Sequence, residues 1–259
     1  MAGTVRVERN GMIATVLLDN PERLNAVTTD MWRALGQAFA ELNEDLSLRC
    51  IVLRGAGDLA FAAGADISGF ETERNDPASA KIYDDLSHHA LAAIAQSPHP
   101  VVALIKGACV GGGLEIAAQC DLRICGESAR FGIPVKRLGL VVAYRELQGL
   151  LSVVSPATAL EILLEGRIFG AAEADKKGLV TRIVADDEVI AEAYRVADRI
   201  AEGAPLVARW HKKFVRRLLD PTPLSTAEID ESYACFGTED FRIGFSSFLA
   251  KTKPDFKGR

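Results

Sequence analysis

Two loops of small residues follow short apolar runs, and their main-chain amides are the groups best placed to do chemistry. The first loop is residues 61–67, after the apolar run at 50–53, and the second is residues 107–115, after the run at 101–105. Glycine lets a ligand approach the main chain closely, and the first amides of a helix lack intrahelical partners and attract negative charge. Two such amides converging on one oxygen would stabilise an enolate or a tetrahedral oxyanion. For the glycine triplet at 111–113 alone, a tight strand-to-helix turn is the alternative.

A single carboxylate stands beside the second loop. Glu115 follows the glycine triplet after one leucine and falls in the first turn of a predicted helix. It is either a general acid or base whose pKa is raised by apolar neighbours, or a carboxylate that only complements the helix dipole. The loop beside it favours the first role. Asp66, in the first loop, is predicted to cap or brace that loop.

Motifs for other chemistries are absent from the sequence. It contains no G-x-S-x-G, H-E-x-x-H or G-x-G-x-x-G pattern, so serine hydrolases, zincins and dinucleotide-binding folds lack support. His88, His89 and His99 are interpreted as surface or core histidines. The five cysteines are scattered through apolar segments, which predicts buried free thiols in a reducing cytoplasm and no metal site.

The elements that must position these loops alternate through the first two thirds of the chain. Residues 5–9 and 13–18 alternate like strands around an Asn-Gly turn, and Thr29 or Asp30 is predicted to cap the helix that follows. Strand, helix and glycine-loop units then repeat in a β–β–α outline. Residues 56–77 are predicted to form a loop and 78–96 a helix. The last third is predicted to be helical at 156–165, 187–202, 205–219 and 223–250, with one strand pattern at 181–184.

Composition restricts the class of protein further. The 259 residues are 49% apolar and 25% charged, enough for one large domain or one domain with a small helical appendage. The net charge of −5 argues against nucleic acid as a partner, and the basic stretch at 209–217 is interpreted as the solvated face of a helix. No apolar run approaches the roughly 18 residues of a membrane span, and no signal-peptide pattern opens the chain. We therefore predict a cytoplasmic protein that does not enter the membrane.

The two loops also resemble the signature loops of a known family. Residues 61–67 and 111–115 are similar to those of the crotonase (enoyl-CoA hydratase/isomerase) superfamily. Further segments resemble the family's other motifs, so that the resemblance covers nearly the whole chain. These segments are residues 20–26, 120–124, 129–132, 172–180, 239–244 and 248–254.

The resemblance implies a fold, a substrate class and an assembly. The expected fold is α/β, with a ββα spiral core carrying an acyl-CoA site at residues 1–195. A C-terminal helical region at 196–259 is expected to drive assembly of a homo-trimer or hexamer. The implied activity is that of an acyl-CoA enzyme of the enoyl-CoA hydratase type, with coenzyme A as part of the thioester substrate and no permanently bound cofactor or metal.

The resemblance also assigns residues. It places the oxyanion-hole amides at Ala65 and Gly112 and a catalytic carboxylate at Glu115. Contacts with the substrate's coenzyme A are implied for Arg23, Ala26, Ala63, Ala65, Asp66 and Ile67.

Two departures from the family pattern leave the reaction open. The second glutamate of the hydratases is replaced by Val135, which cannot exchange a proton, and the usual Pro-Gly-x-Gly-Gly is replaced by residues 142–146. Tyr144 and Glu146 thereby become polar candidates on the acyl side, unless the loop turns them to solvent. An isomerase, a decarboxylase or another acyl-CoA lyase is the alternative, and a catalytically weak CoA-binding scaffold is a hypothesis of a different class.

Overall fold

The protein is built on two β-sheets. A computed structural model describes residues 3–259, and at residues 71 and 72 it describes only the main chain. The described residues form one sheet of six strands and one of four. The larger sheet contains β1 (Thr4–Asn10), β2 (Ile13–Asp19), β3 (Cys50–Gly55), β5 (Val101–Ile105), β7 (Leu122–Gly126) and β10 (Arg182–Val184), in that spatial order. The smaller sheet contains β4 (Ala60–Ala62), β6 (Ala108–Val110), β8 (Arg130–Gly132) and β9 (Phe169–Gly170), in that order.

Helices fill the connections between these strands and form most of the last third of the chain. They are α1 (Thr29–Glu44), α2 (Phe70–Glu73), α3 (Pro77–Ala95), α4 (Gly112–Gln119), α5 (Tyr144–Leu151), α6 (Pro156–Glu165), α7 (Ala171–Lys176), α8 (Val189–Ala201), α9 (Pro205–Arg217), α10 (Thr226–Glu231) and α11 (Glu239–Ala250). Short 3₁₀ turns lie at residues 21–23, 67–69, 135–138 and 234–237.

The central strands are apolar on both faces because both faces of the larger sheet are covered. From β2 to β10 the strands pair in parallel, and β1 is joined antiparallel to β2 through the predicted Asn-Gly turn. In β3, Ile51 and Leu53 enter the core beneath α1 and α3, whereas Cys50 and Val52 pack against α8. Continuous apolar runs are the usual signature of buried parallel strands. The predicted α/β class is confirmed.

The spiral arises because a strand of the larger sheet is followed by a strand of the smaller one. β3 leads to β4, β5 to β6 and β7 to β8, and the smaller-sheet strands pair in parallel from β4 to β8. Helices α3 and α4 return the chain after β4 and β6. Successive turns therefore stack, which brings the loop after β4 and the loop after β6 side by side.

Three predicted elements differ in the structure. Thr28, rather than Thr29 or Asp30, caps α1 by accepting a hydrogen bond from the amide of Met31 at 3.2 Å. The segment predicted as a loop at 56–77 contains β4 and α2. The single helix predicted at 223–250 is two helices, because Thr238 takes an extended conformation and caps α11.

The C-terminal region begins at a helix that belongs to the core. Helix α8 packs Val189, Ala193 and Ala197 against the larger sheet, and it spans the predicted boundary between residues 195 and 196. In the described part of the chain, no helix is both long and apolar enough to cross a lipid bilayer.

Candidate active site

Two main-chain amides, those of Ala65 and Gly112, lie close together where the two loops meet. A methyl group built on Gly112 would lie 3.5 Å from the amide nitrogen of Ala65, and one built on Gly64 would lie 3.6 Å from the amide nitrogen of Gly112. Within residues 3–259, neither the Ala65 nor the Gly112 amide donates a hydrogen bond to a main-chain carbonyl. Gly64 adopts a φ of +112°, a conformation that favours glycine. Both amides are therefore available to a ligand oxygen.

The start of α4 is held against β4 by a close main-chain approach. A methyl group on Gly113 would lie 2.2 Å from the carbonyl oxygen of Ala62, so only glycine fits this position without displacement of one element. The amide of Ala63 is fixed by the carbonyl of Leu24 at 3.0 Å, and that of Val27 binds the carbonyl of Gly64 at 2.8 Å. Three separate segments thus fix the relative positions of the two loops.

A cavity of about 280 Å³ opens in front of these amides. Trp32, Phe70 and Pro134 contribute to its apolar wall, together with the leucines and valines of residues 138–142. Of the residues assigned from sequence, seven line this cavity. They are Ala63, Ala65, Ile67, Gly112, Glu115, Val135 and Glu146.

Glu115 supplies a carboxyl to the wall of this cavity. It lies in the first turn of α4, and its half-buried side chain contributes to the cavity wall. The pKa of Glu115 is raised to about 8, first by burial and then by the nearby Glu146, while Arg74 acts in the opposite direction. A carboxyl with such a pKa can both accept and donate a proton near neutral pH.

Glu146 provides a second carboxyl in the same cavity. It lies in the first turn of α5, where its Oε2 accepts a hydrogen bond from the amide of Ala143 at 2.8 Å. Burial raises the pKa of Glu146, whereas the Ala143 amide and Arg74 lower it. Of the two polar candidates in residues 142–146, Glu146 is therefore the one that lines the cavity. Tyr144 is 91% exposed and lies outside the cavity.

A group of polar side chains that the sequence did not indicate completes the wall. The guanidinium of Arg74 lies 4.9 Å from the ring centre of Phe70 and 4.5 Å from that of Tyr83, and it forms an ion pair with Asp84 at 3.1 Å. The Tyr83 hydroxyl accepts a hydrogen bond from the indole of Trp32 at 2.8 Å. No motif marks these residues, because they come from a predicted loop and two helix faces.

The remaining assigned residues lie at the outer side of the first loop. Arg23 is exposed and donates to the Asp66 carboxylate at 2.7 Å and to the Ser68 hydroxyl at 2.6 Å. Burial would raise the pKa of Asp66, but hydrogen bonds from Ser68 and the Arg23 guanidinium lower it below its usual range. Asp66 caps the turn at 67–69, as predicted. Ala26, three residues after Arg23, is half-buried.

The described residues contain no group of three or more His, Cys, Asp or Glu side chains arranged to hold a metal ion. Cys50, Cys109, Cys120 and Cys125 are buried free thiols, as predicted, whereas Cys235 is half-buried. Burial raises the pKa of Cys50 to about 12. Burial also raises the pKa of Cys109, Cys120 and Cys125, so the four buried thiols stay protonated near neutral pH and are poor nucleophiles.

Known proteins resemble this chain over nearly its full length. A probable enoyl-CoA hydratase of Rhizobium meliloti (strain 1021) is 35% identical over 260 residues, covering 99% of this chain and 98% of the relative. A short-chain-enoyl-CoA hydratase of Clostridium acetobutylicum is 31% identical, covering 98% of each chain. The crystal structure of an enoyl-CoA hydratase/carnithine racemase from Magnetospirillum magneticum aligns with a TM-score of 0.98 and 48% identity, covering 100% of this chain and 97% of that one.

The family assignment rests on a match over almost the full length. The sequence model of the enoyl-CoA hydratase/isomerase family matches residues 8–259. That range includes both loops, Glu115 and the C-terminal helices. The chain therefore belongs to the enoyl-CoA hydratase/isomerase family, within the crotonase superfamily.

Proposed function

We propose that this protein is an acyl-CoA enzyme of the enoyl-CoA hydratase type. The observation that carries the proposal is that two amides without a main-chain acceptor, Ala65 and Gly112, line the same cavity as one carboxyl, Glu115. Relatives named as enoyl-CoA hydratases support the substrate class. The acyl-CoA thioester is the substrate, and no resident cofactor is needed for this chemistry.

The thioester oxygen would accept hydrogen bonds from the amides of Ala65 and Gly112. These donors stabilise negative charge as it develops on that oxygen, and removal of one such donor typically costs about 3 to 4 kcal/mol of transition-state stabilisation. Glu115 would move a proton at the α carbon or position water at the β carbon.

Arg23, Ala26, Ala63, Asp66 and Ile67 would contact the coenzyme A portion of the substrate. The ion pair between Arg23 and Asp66 supports this by rigidifying the rim beside the first loop. Tyr144 is not included, because it faces solvent in this chain. The four buried free thiols are consistent with a reducing compartment, and we propose that the protein is located in the cytoplasm.

Replacement of Glu115 by glutamine tests the proposal. Glu115→Gln keeps the size of the side chain but cannot exchange a proton, so the kcat for hydration of crotonyl-CoA should fall about 100- to 10,000-fold. Loss of the conjugated enoyl thioester is followed by absorbance. Glu127→Gln, at an exposed turn outside the cavity, is the control and should match the parent enzyme.

Isomerisation is the second candidate, and Val135 favours it. Valine lines the cavity at the position of the family's second glutamate, and a proton shuttle carried by Glu115 alone needs no carboxyl at that position. A panel of 2-enoyl-, 3-enoyl- and malonyl-type thioesters, with product analysis, separates hydration from isomerisation and decarboxylation. If Glu115→Gln retains full activity on the preferred thioester, Glu115 has no part in the mechanism. Binding of coenzyme A thioesters without turnover of any of them would favour the scaffold hypothesis.

We also propose that the chain assembles as a homo-trimer or hexamer through its C-terminal helices. Exposed aromatic and aliphatic side chains cluster at the end of the chain, and contiguous exposed apolar patches commonly mark protein interfaces. They include Tyr233, Phe236, Phe245, Phe248 and Leu249.

A further inference from the structure

The wall of the cavity lacks a proton donor where the family pattern has one. Val135 lies in the turn at 135–138 and contributes only methyl groups to the cavity. Addition of water across a conjugated double bond requires one proton to leave the water and one to reach the α carbon. A second group that exchanges protons is therefore missing from that position.

Helix α5 brings a carboxyl to the same cavity from another direction. Glu146 lines the cavity with Glu115, and α5 packs against α4. The segment that replaces the family's glycine-rich pattern makes this possible, because Glu146 falls in the first turn of α5. The hydrogen bond from the Ala143 amide to Oε2 fixes the carboxyl and leaves Oε1 to meet another partner.

The charges around the two carboxyls favour one shared proton. Burial raises the pKa of both, and the presence of Glu146 raises that of Glu115 because two buried negative charges repel. Arg74 and Asp84 face both groups from α3 and the segment before it. The outer side of Glu146 borders further charged or titratable groups, namely Lys81, Asp85, His88 and Arg145. One acid and one base can therefore coexist near neutral pH.

We infer that Glu146 is the second proton-transferring carboxyl of this enzyme and supplies from α5 what Val135 cannot. This inference rests on the proposed function. In hydration, the ionised member of the pair takes a proton from water as the oxygen bonds to the β carbon. The π electrons move to the thioester oxygen at the two amides, and as the enolate collapses the protonated member gives its proton to the α carbon. The pair ends with one proton, as it began.

Glu146→Gln is the decisive variant, because glutamine can still accept the hydrogen bond from Ala143. Its kcat for the preferred enoyl-CoA should fall about 100- to 10,000-fold, with KM and the melting temperature near those of the parent. The pH profile should lose one of its two limbs. Glu127→Gln serves again as the matched control.

A rescue variant separates proton transfer from a structural role. In Glu146→Gln with Val135→Glu, a carboxyl returns to the cavity at the family position, and kcat should recover at least about tenfold over the single variant. A Glu146→Gln enzyme with parental kcat and pH profile would overturn the inference. So would a loss of kcat accompanied by a lower melting temperature and no rescue. If the parent enzyme binds enoyl-CoA thioesters but turns over none of them, the proposed function itself fails.

Discussion

At the scale of single residues, one cation, Arg74, lowers the pKa of both carboxyls in the cavity, Glu115 and Glu146. Arg74 is held between the rings of Phe70 and Tyr83 and by its ion pair with Asp84, so its guanidinium has little freedom to move. It lowers the pKa of Glu115, against burial and the repulsion from Glu146. Without it, both carboxyls would be protonated over a wider pH range. Arg74 thus widens the pH range in which one of the two carboxyls is ionised.

Arg74→Met should shift the pH dependence to higher pH. The base of the pair must be ionised and the acid protonated, so the pH profile has one limb for each carboxyl, and Arg74 lowers the pKa of both. Removing the cation raises both pKa values, by about one unit each, so both limbs of kcat/KM move to higher pH. On the acidic limb kcat/KM should therefore fall about tenfold at a given pH and recover as the pH rises.

The measurement for Arg74→Met is kcat/KM across pH 5 to 10. Arg33→Met is the control, because Arg33 pairs with Asp30 on an exposed face of α1 away from the cavity. An unchanged midpoint would mean that Arg74 does not act on the base.

At the scale of elements, the buried strands could be predicted because a continuous apolar run is visible in the sequence without knowledge of the strands beside it. The strands β3 and β5 and the helix after the glycine triplet agree closely with the sequence patterns. Short elements could not be predicted in this way. β4 has only three residues, and α2 is a single helical turn, so neither is long enough to show a repeating pattern of apolar residues. The sequence does not single out the cap of α1, because Thr28, Thr29 and Asp30 are three good capping residues in succession.

The contact between α4 and β4 yields a prediction at this scale. In Gly113→Ala the added methyl group meets the Ala62 carbonyl oxygen at 2.2 Å, so α4 and β4 must separate. That displaces the amides of Ala65 and Gly112 relative to each other. We expect a kcat loss of at least about 100-fold from the weakened donor pair and about 1 to 3 kcal/mol lower unfolding free energy from overpacking.

Gly237→Ala is the matched control for Gly113→Ala. Gly237 has no neighbour within 4 Å of an added methyl group and no positive φ, so activity should be unaffected. The measurements are kcat and the free energy of unfolding in urea, for both variants and the parent enzyme. Parental kcat in Gly113→Ala would show that the spacing of the two loops does not matter.

At the scale of the whole molecule, the spiral assembles the cavity from segments that are far apart in sequence. The two loops and Glu115 could be predicted because small residues after buried strands, with an acidic residue beside them, form a local pattern. Arg74 and Tyr83 could not, since only the packing of α3 over α4 brings them to the cavity. Glu146 was a candidate with two possible orientations, and the start of α5 decides between them. Long-range packing therefore brings Arg74, Tyr83 and Glu146 to the cavity and the two loops to each other, while the sequence of each loop is a pattern that can be recognised locally.

The exposed apolar end of the chain leads to the last prediction. Phe248 is 81% exposed on α11, beside Leu249 and one turn from Phe245. Burying such a surface between copies would be favourable by about 25 cal/mol for each Å² of apolar area. Light scattering after gel filtration should give three or six times the chain mass of 27.8 kDa. Phe248→Asp places a charge in that contact and should shift the protein towards a single chain, whereas Leu59→Asp, at an exposed leucine beside β4, should not. A parent protein that elutes as a single chain at micromolar concentration would contradict the proposed assembly.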